Sequence, residues 1–250
     1  MKTKVIAFRT NLVLSLCLLI YSCCCVAQEK SVVSASADTQ QESVGSIYHP
    51  DMVGISKSGI VKGRSAMMEY MGAFKKNHGS LKGFKTRYKR SVVSGLDYEI
   101  GSFQTENKDS FSHVIMWGKE NGKEQRLLEV VYEMTSNKGV PVEIGEAREK
   151  WVQLCNSHNS NKLVRELYTE DAIYYNRGRV LRGHNALSQE YGYMQQPSYT
   201  LELTPEHIEM VSEDVAFEIG KCSGSYHLPY ILVWKKQADA SWKVFFDSNY

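Results

Sequence analysis

Between Ala147 and Tyr168 the apolar residues Trp151, Leu154, Cys155, Leu163, Val164 and Leu167 recur at helical spacing, broken by a polar stretch at Asn156–Asn161. That pattern predicts a helix, a polar turn and a second short helix. Ala172–Asn176 reads as a strand, and Ala186–Met194 as a helix that stops before Pro197. Beyond it the period shortens. Tyr199–Leu203, Ile208–Val211, Val215–Ile219, Tyr226–Lys235 and Trp242–Asp247 are rich in β-branched and aromatic residues, and Lys236–Ser241 is a polar hairpin turn. These runs predict an antiparallel meander. Helices first and a sheet afterwards is an α+β order.

The pattern occurs twice. Ile47–Val53 (IYHPDMV) resembles Leu167–Ile173 (LYTEDAI), and Ile60–Met67 resembles Val180–Leu187, both at an offset of 120. Tyr98-Glu99-Ile100-Gly101 corresponds to Phe217-Glu218-Ile219-Gly220 at 119, and Val114–Trp117 to Ile231–Trp234 at 117. An offset that drifts this slowly, over matches in the same order, is the mark of a duplication with small loop changes. The first copy lacks a marked opening helix pair. Residues 31–46 are the only material for one, so the first copy reads as a truncated version.

The chain divides accordingly into residues 1–27, a signal segment; 28–44, a flexible tether rich in Ser, Gln, Ala and Glu; 45–140, a first domain; and 144–250, a second. Lys2, Lys4 and Arg9 precede an apolar run, Leu12–Ile20, of the length of a signal h-region and too short to span a bilayer. Cys25-Val26-Ala27 offers cleavage before Gln28. Ile20-Tyr21-Ser22-Cys23 offers a lipoprotein signal ending before Cys23, which would make Cys23 a lipid anchor and the only link to a membrane. The expected location is outside the cytoplasm: periplasmic, secreted, or lipid-anchored to an outer membrane or cell surface.

Charge then changes meaning. Without the three basic residues of the signal, 27 basic residues face 28 acidic ones, a net of about −1, which gives no electrostatic ground for a nucleic-acid partner. Of six cysteines only Cys155 and Cys222 lie beyond the signal, and they read as two buried thiols or as one disulfide.

The ordered set LYTEDAIYYNRGRVLRGHNAL, VAFEIG, ILVWKK and SWKVFFDSN resembles SnoaL-like domains of the nuclear transport factor 2-like superfamily, over about 144–250 and more weakly over about 45–133. The resemblance implies two tandem cone-shaped α+β domains, each with helices on a strongly curved antiparallel sheet around an apolar pocket. It also implies pairing through the sheets, within this chain or in a homodimer. Ketosteroid isomerases, cyclases, dehydratases and proteins without known catalysis share this fold, so function must be read from the site.

Isomerase chemistry needs a carboxylate base, a tyrosine and a protonated acid. At the matching positions stand Asn176 and Ser56 for the base, Val152 beside Trp151 for the tyrosine, and the acid-free stretch Ile231–Trp234. Catalytic candidates that remain are Asp247 near the end of the last strand, Glu218 in the repeated EIG, and His227, with His184 lacking a visible partner. Asp51 and Asp171 read as turn or capping acids, and Gly63 and Gly183 as turn glycines. Tyr174, Asn176, Tyr191, Glu218, Tyr230 and Trp234 are the expected ligand-binding set, since aromatic walls with polar tips suit small, partly polar molecules. No metal-ligand spacing, nucleophile elbow or phosphate loop occurs, Cys155 and His158 fall where a helix gives way to a turn, and no cofactor is expected. The reading adopted is an exported, non-catalytic binder of a small apolar or aromatic molecule. The alternatives are a SnoaL-type cyclase, isomerase or dehydratase, and an accessory protein-interaction module.

Overall fold

The computed structural model describes residues 45–120, 122–135 and 138–249. The signal segment, the tether, Cys23, and all but the last two residues of 31–46 lie outside the described residues.

The first half runs β1 (Tyr48–Ser56), β2 (Gly59–Lys62), α1 (Arg64–His78), β3 (Leu81–Val93), β4 (Leu96–Thr105), β5 (Ser110–Glu120) and β6 (Lys123–Glu133). The second half runs α2 (Val142–Asn156), α3 (Ser160–Leu167), β7 (Tyr168–Asn176), β8 (Arg179–Arg182) and α4 (Gly183–Glu190). A 3-10 turn (Tyr191–Gln195), β9 (Leu201–Met210), β10 (Val215–Gly224), β11 (Pro229–Lys236) and β12 (Trp242–Asn249) complete it. Each half holds one six-stranded sheet, in the orders β2-β1-β6-β5-β4-β3 and β8-β7-β12-β11-β10-β9. The protein is thus α+β and built twice on one plan. Each sheet is antiparallel except at one joint, where β1 meets β6 and β7 meets β12 in parallel.

Local chemistry accounts for the elements. The polar break between α2 and α3 is a helix boundary, and Asn159 caps α3 by accepting from the Lys162 amide at 3.0 Å. Gly63 and Gly183 stand at the start of α1 and α4 with φ of 86° and 76°, a region that costs other residues a steric clash. The runs Tyr199–Leu203 and Ile208–Val211 are not two strands. They join in β9 across Pro205, tolerated because β9 is an edge strand, and a bulge displaces Glu206 from the ladder. The short strands β2 and β8 carry too little pattern to be read from sequence; they form as hairpin partners of β1 and β7.

Burial explains why the long strands lack simple alternation. In β10 and β11, Val215, Phe217, Ile219, Ile231 and Val233 enter a core shared with Val53, Ile55, Tyr98, Ile100, Val114, Met116 and Leu128 of the first half. The opposite face, with Ala216, Cys222, Tyr230, Leu232 and Trp234, packs on Trp151, Leu154, Cys155, Leu163 and Val164 of α2 and α3. A strand buried on both faces reads as a continuous apolar run. The bulged Glu206 accepts from Tyr88 Oη at 3.0 Å and pairs with Arg90, while Glu209 pairs with Arg87 at 2.9 Å, so acidic β9 lies against basic β3.

The glycine of the repeated EIG has a packing reason. A β-carbon on Gly101 would stand 2.5 Å from His113 Nε2, and one on Gly220 would stand 2.5 Å from the Thr204 carbonyl oxygen and collide with the Tyr230 ring. Backbone cannot yield as a side chain tip can. Gly220→Ala is therefore expected to cost about 2 kcal/mol by overpacking; a urea midpoint equal to that of the parent protein would refute this account.

Candidate functional site

The inner face of the second sheet, under α2, α3 and the 3-10 turn, collects the polar groups. Tyr168 opens β7, Tyr191 opens the 3-10 turn, and Asp247 lies on β12 directly beside Tyr174 of β7. Tyr168 Oη donates to Asp247 Oδ2 at 2.8 Å, and Tyr191 Oη donates to the same oxygen. Trp151 Nε1 donates to Tyr168 Oη at 3.0 Å. Burial pushes the carboxyl up to about 6, against the two tyrosine hydrogen bonds, which favour its charged form. Both tyrosines are raised well above the ordinary value by burial and by the Asp247 charge.

Asp247 lines a cavity of about 20 Å³, room for about one water molecule, with Trp151, Tyr199, Leu203, Cys222, Tyr226 and Tyr230 among its walls. Cys155 and Cys222 are both free, so the disulfide left open by the sequence does not form; burial raises Cys155 to about 12 and Cys222 higher still. Neither is a thiolate near neutrality.

Glu218 occupies the same inner face with no exposure. Its Oε1 accepts from Arg148 Nε and Tyr230 Oη, both at 2.7 Å, and its Oε2 from Arg148 Nη2 at 2.9 Å and Trp234 Nε1 at 2.7 Å. Four donors occupy the carboxylate, which makes it a clamp between α2 and the sheet and leaves it no lone pair free to act as a base. Tyr230 and Trp234 are held in that clamp. Tyr174 donates to Asn249 Oδ1 at 2.6 Å, and Asn176 Nδ2 donates to Tyr174 Oη at 3.0 Å and to the Asn249 carbonyl at 3.1 Å. The expected ligand-binding set is thus brought to one face, but as three internally bonded groups, centred on Asp247, Glu218 and Asn249, around a narrow cavity and not as the wall of an open pocket. The physical reason is that each polar tip finds a partner inside the fold, as buried polar groups must. His227 lies exposed on the loop between β10 and β11, outside the cavity lining, and His184 Nε2 bonds the Tyr168 carbonyl at 3.1 Å. His158 Nδ1 donates to the Met194 carbonyl at 3.2 Å.

Sequence reasoning missed Tyr168 and the part played by Trp151. The signal was present: Tyr48 and Tyr168 correspond at the offset of 120, at the start of the parallel strand in each half.

The first half repeats the layout with different chemistry. Gly54 faces Glu129 as Tyr174 faces Asp247, so Glu129 is the counterpart of Asp247. Arg126 Nη1 donates to both Glu129 oxygens at 2.7 and 2.8 Å, and His113 Nδ1 lies 3.1 Å away. Burial would raise this carboxyl, but the Arg126 charge and the His113 hydrogen bond outweigh it and hold it at about 2. Glu99, the counterpart of Glu218, accepts from Trp117 Nε1 and Thr86 Oγ1, each at 2.7 Å. Among the described residues no three His, Cys, Asp or Glu side chains converge as metal ligands.

No family model and no curated protein matches this chain. Solved structures resemble parts of it. An NTF-2-like protein of unknown function from Shewanella oneidensis MR-1 is 16% identical over 43% of this chain and 95% of its own, with a TM-score of 0.39. A candidate ketosteroid isomerase from Shewanella frigidimarina NCIMB 400 is 22% identical over 45% and 98%, with a TM-score of 0.37. A domain of unknown function with a cystatin-like fold from Nostoc punctiforme PCC 73102 is 13% identical over 44% and 78%, with a TM-score of 0.37.

Proposed function

We propose that this is an exported, non-catalytic protein whose second half binds a small, largely apolar molecule bearing one hydrogen-bonding group, with Asp247 as the polar anchor. One observation carries the reading: the buried carboxyl of Asp247, with both tyrosine hydroxyls on one oxygen, lines an aromatic and aliphatic cavity. A carboxyl kept buried against the cost of desolvating its charge is uncommon and calls for a reason. A bound hydroxyl or carbonyl supplies one, donating to the carboxylate or accepting from the carboxylic acid. The walls include Met194, Leu203 and Tyr226, whose side chains must shift to admit anything larger than water. The accessory-module reading has less to stand on, because the apolar sheet faces it would use are packed on each other.

The second reading, a SnoaL-type enzyme with Asp247 as base, is favoured by the rise of that carboxyl to about 6, close to the range useful for proton transfer. Binding is preferred because the cavity holds one group that ionises near neutrality, whereas proton transfer of this kind uses two.

Saturation-transfer NMR of the full chain with phenol, 4-ethylphenol and cyclohexanone tests both readings. A saturable signal from at least one compound is expected, weakened about ten-fold by Asp247→Ala and lost on filling the cavity with Leu203→Phe. Binding indifferent to both changes, or no saturable signal from any compound, overturns the proposal. Exchange of the cyclohexanone α-protons for deuterium by the parent protein, absent in Asp247→Ala, would replace it with the enzyme reading.

A further inference from the structure

A concavity much larger than the Asp247 cavity lies elsewhere. It is a groove of about 590 Å³ at the mouth of the first sheet, bounded by α1, the β1–β2 turn, the ends of β5 and β6, the β9–β10 turn and β11. That volume falls within the range of small-molecule sites. One wall is aromatic: Tyr70 and Phe74 lie one helical turn apart on α1, and the Phe74 ring is 4.8 Å from Phe111.

The opposite wall holds two donors without acceptors, one from each half. The Tyr132 hydroxyl is buried without a hydrogen-bond partner, on a residue 8% exposed. The Lys235 ammonium, half-buried, sits 3.2 Å from the Phe245 ring centroid and 5.5 Å from that of Tyr132, with no carboxylate in salt-bridge range among the described residues. Its other charged surroundings are the exposed Lys57, Glu133 and Asp214 of the groove lining, Asp171 nearby, and His78, which is bonded to Asp109 at 2.8 Å.

We infer that this groove binds a small carboxylate with an apolar or aromatic body, its carboxylate taking the Lys235 ammonium and the Tyr132 hydroxyl and its body lying along Tyr70, Phe74 and Phe111. An ammonium and an unpartnered hydroxyl on residues lining one groove offer two donors to the two oxygens of a carboxylate, and a charge-assisted bond in a half-buried setting is among the stronger polar contacts. Burial also lowers the Lys235 pKa, so an anionic ligand would take up the charge that burial penalises. This site is separate from the Asp247 cavity, and neither proposal depends on the other.

The test is isothermal titration of the full chain with 3-phenylpropionate and with its neutral isostere 3-phenylpropanamide. Saturable binding of the acid is expected, with the amide at least about ten-fold weaker. Lys235→Met should remove the difference between the two, and Tyr132→Phe should weaken the acid about five-fold. Equal binding of acid and amide by the parent protein, no saturable binding of the acid, or undiminished acid binding by Lys235→Met overturns the inference. The comparison of acid with amide is made on the parent protein, so it stands even if a variant fails to fold.

Discussion

Glu218→Ala is expected to destabilise the fold by about 3–5 kcal/mol, the usual cost of removing one partner of a buried ion pair. The side chain has no exposure, and its loss strands three donors at once: the Arg148 guanidinium, the Tyr230 hydroxyl and the Trp234 indole. The Arg148 side chain is only 11% exposed and cannot recover hydration without pulling α2 from the sheet. Glu218→Gln keeps the shape and part of the bonding, so it should lie between alanine and the parent. Glu99→Ala, at the corresponding place in the first half, removes an acceptor from two neutral donors and should cost only about 1–3 kcal/mol. Urea unfolding followed by circular dichroism measures all three. If Glu218→Ala proves no more costly than Glu99→Ala, the four-donor clamp is not the fastening described here.

Asp247→Asn should act in the opposite direction, stabilising the protein at pH 8 by on the order of 3 kcal/mol. The sign follows from linkage. Asp247 goes from an ordinary 3.8 to about 6 in the fold, so the native state holds its proton more tightly than the unfolded chain does. Its contribution is fully present below pH 3.8 and is lost as pH rises through about 6. A shift of about two units corresponds to on the order of 3 kcal/mol at 1.36 kcal/mol per unit. Asparagine removes the buried charge while its oxygen can still accept from Tyr168 and Tyr191. Glu129 works the other way: held at about 2 against an ordinary 4.5, it adds stability above pH 4.5 that is lost as pH falls towards 2. Stability measured from pH 3 to 8 should therefore show a decline between about 4 and 6 that is absent in Asp247→Asn. An Asp247→Asn protein less stable than the parent at pH 8 would mean that the ionised carboxylate is better satisfied than its surroundings indicate. Such a carboxyl, destabilising to the fold that keeps it, has the character of a residue retained for a purpose other than stability.

Several features were legible in the chain alone. Helical spacing in Trp151–Leu167 and the shortened period after Pro197 gave the α+β order, and the drifting offset from 120 to 117 gave the duplication; the two sheets with the same strand order correspond to it. Both readings rest on covalent order and side-chain polarity, which a sequence carries in full. Asp247, Glu218 and the tyrosines were also recognisable as candidates, because acids and aromatics amid apolar strands stand out by type.

What they do there was decided by the tertiary structure. Strand register places Asp247 beside Tyr174, and the 3-10 turn carries Tyr191 onto the same carboxyl, 56 positions away in sequence. The same packing gives Glu218 four donors and Asp247 two tyrosine hydroxyls, so that the acid of the repeated motif is a fastening while the acid at the end of the last strand lines the cavity. Tyr132 and Lys235 stand over 100 residues apart and meet only where the two halves pack. The energy of a carboxyl or an ammonium depends on its hydration and on the donors and charges within a few ångströms, and those are properties of the folded surroundings that residue identity and spacing do not contain.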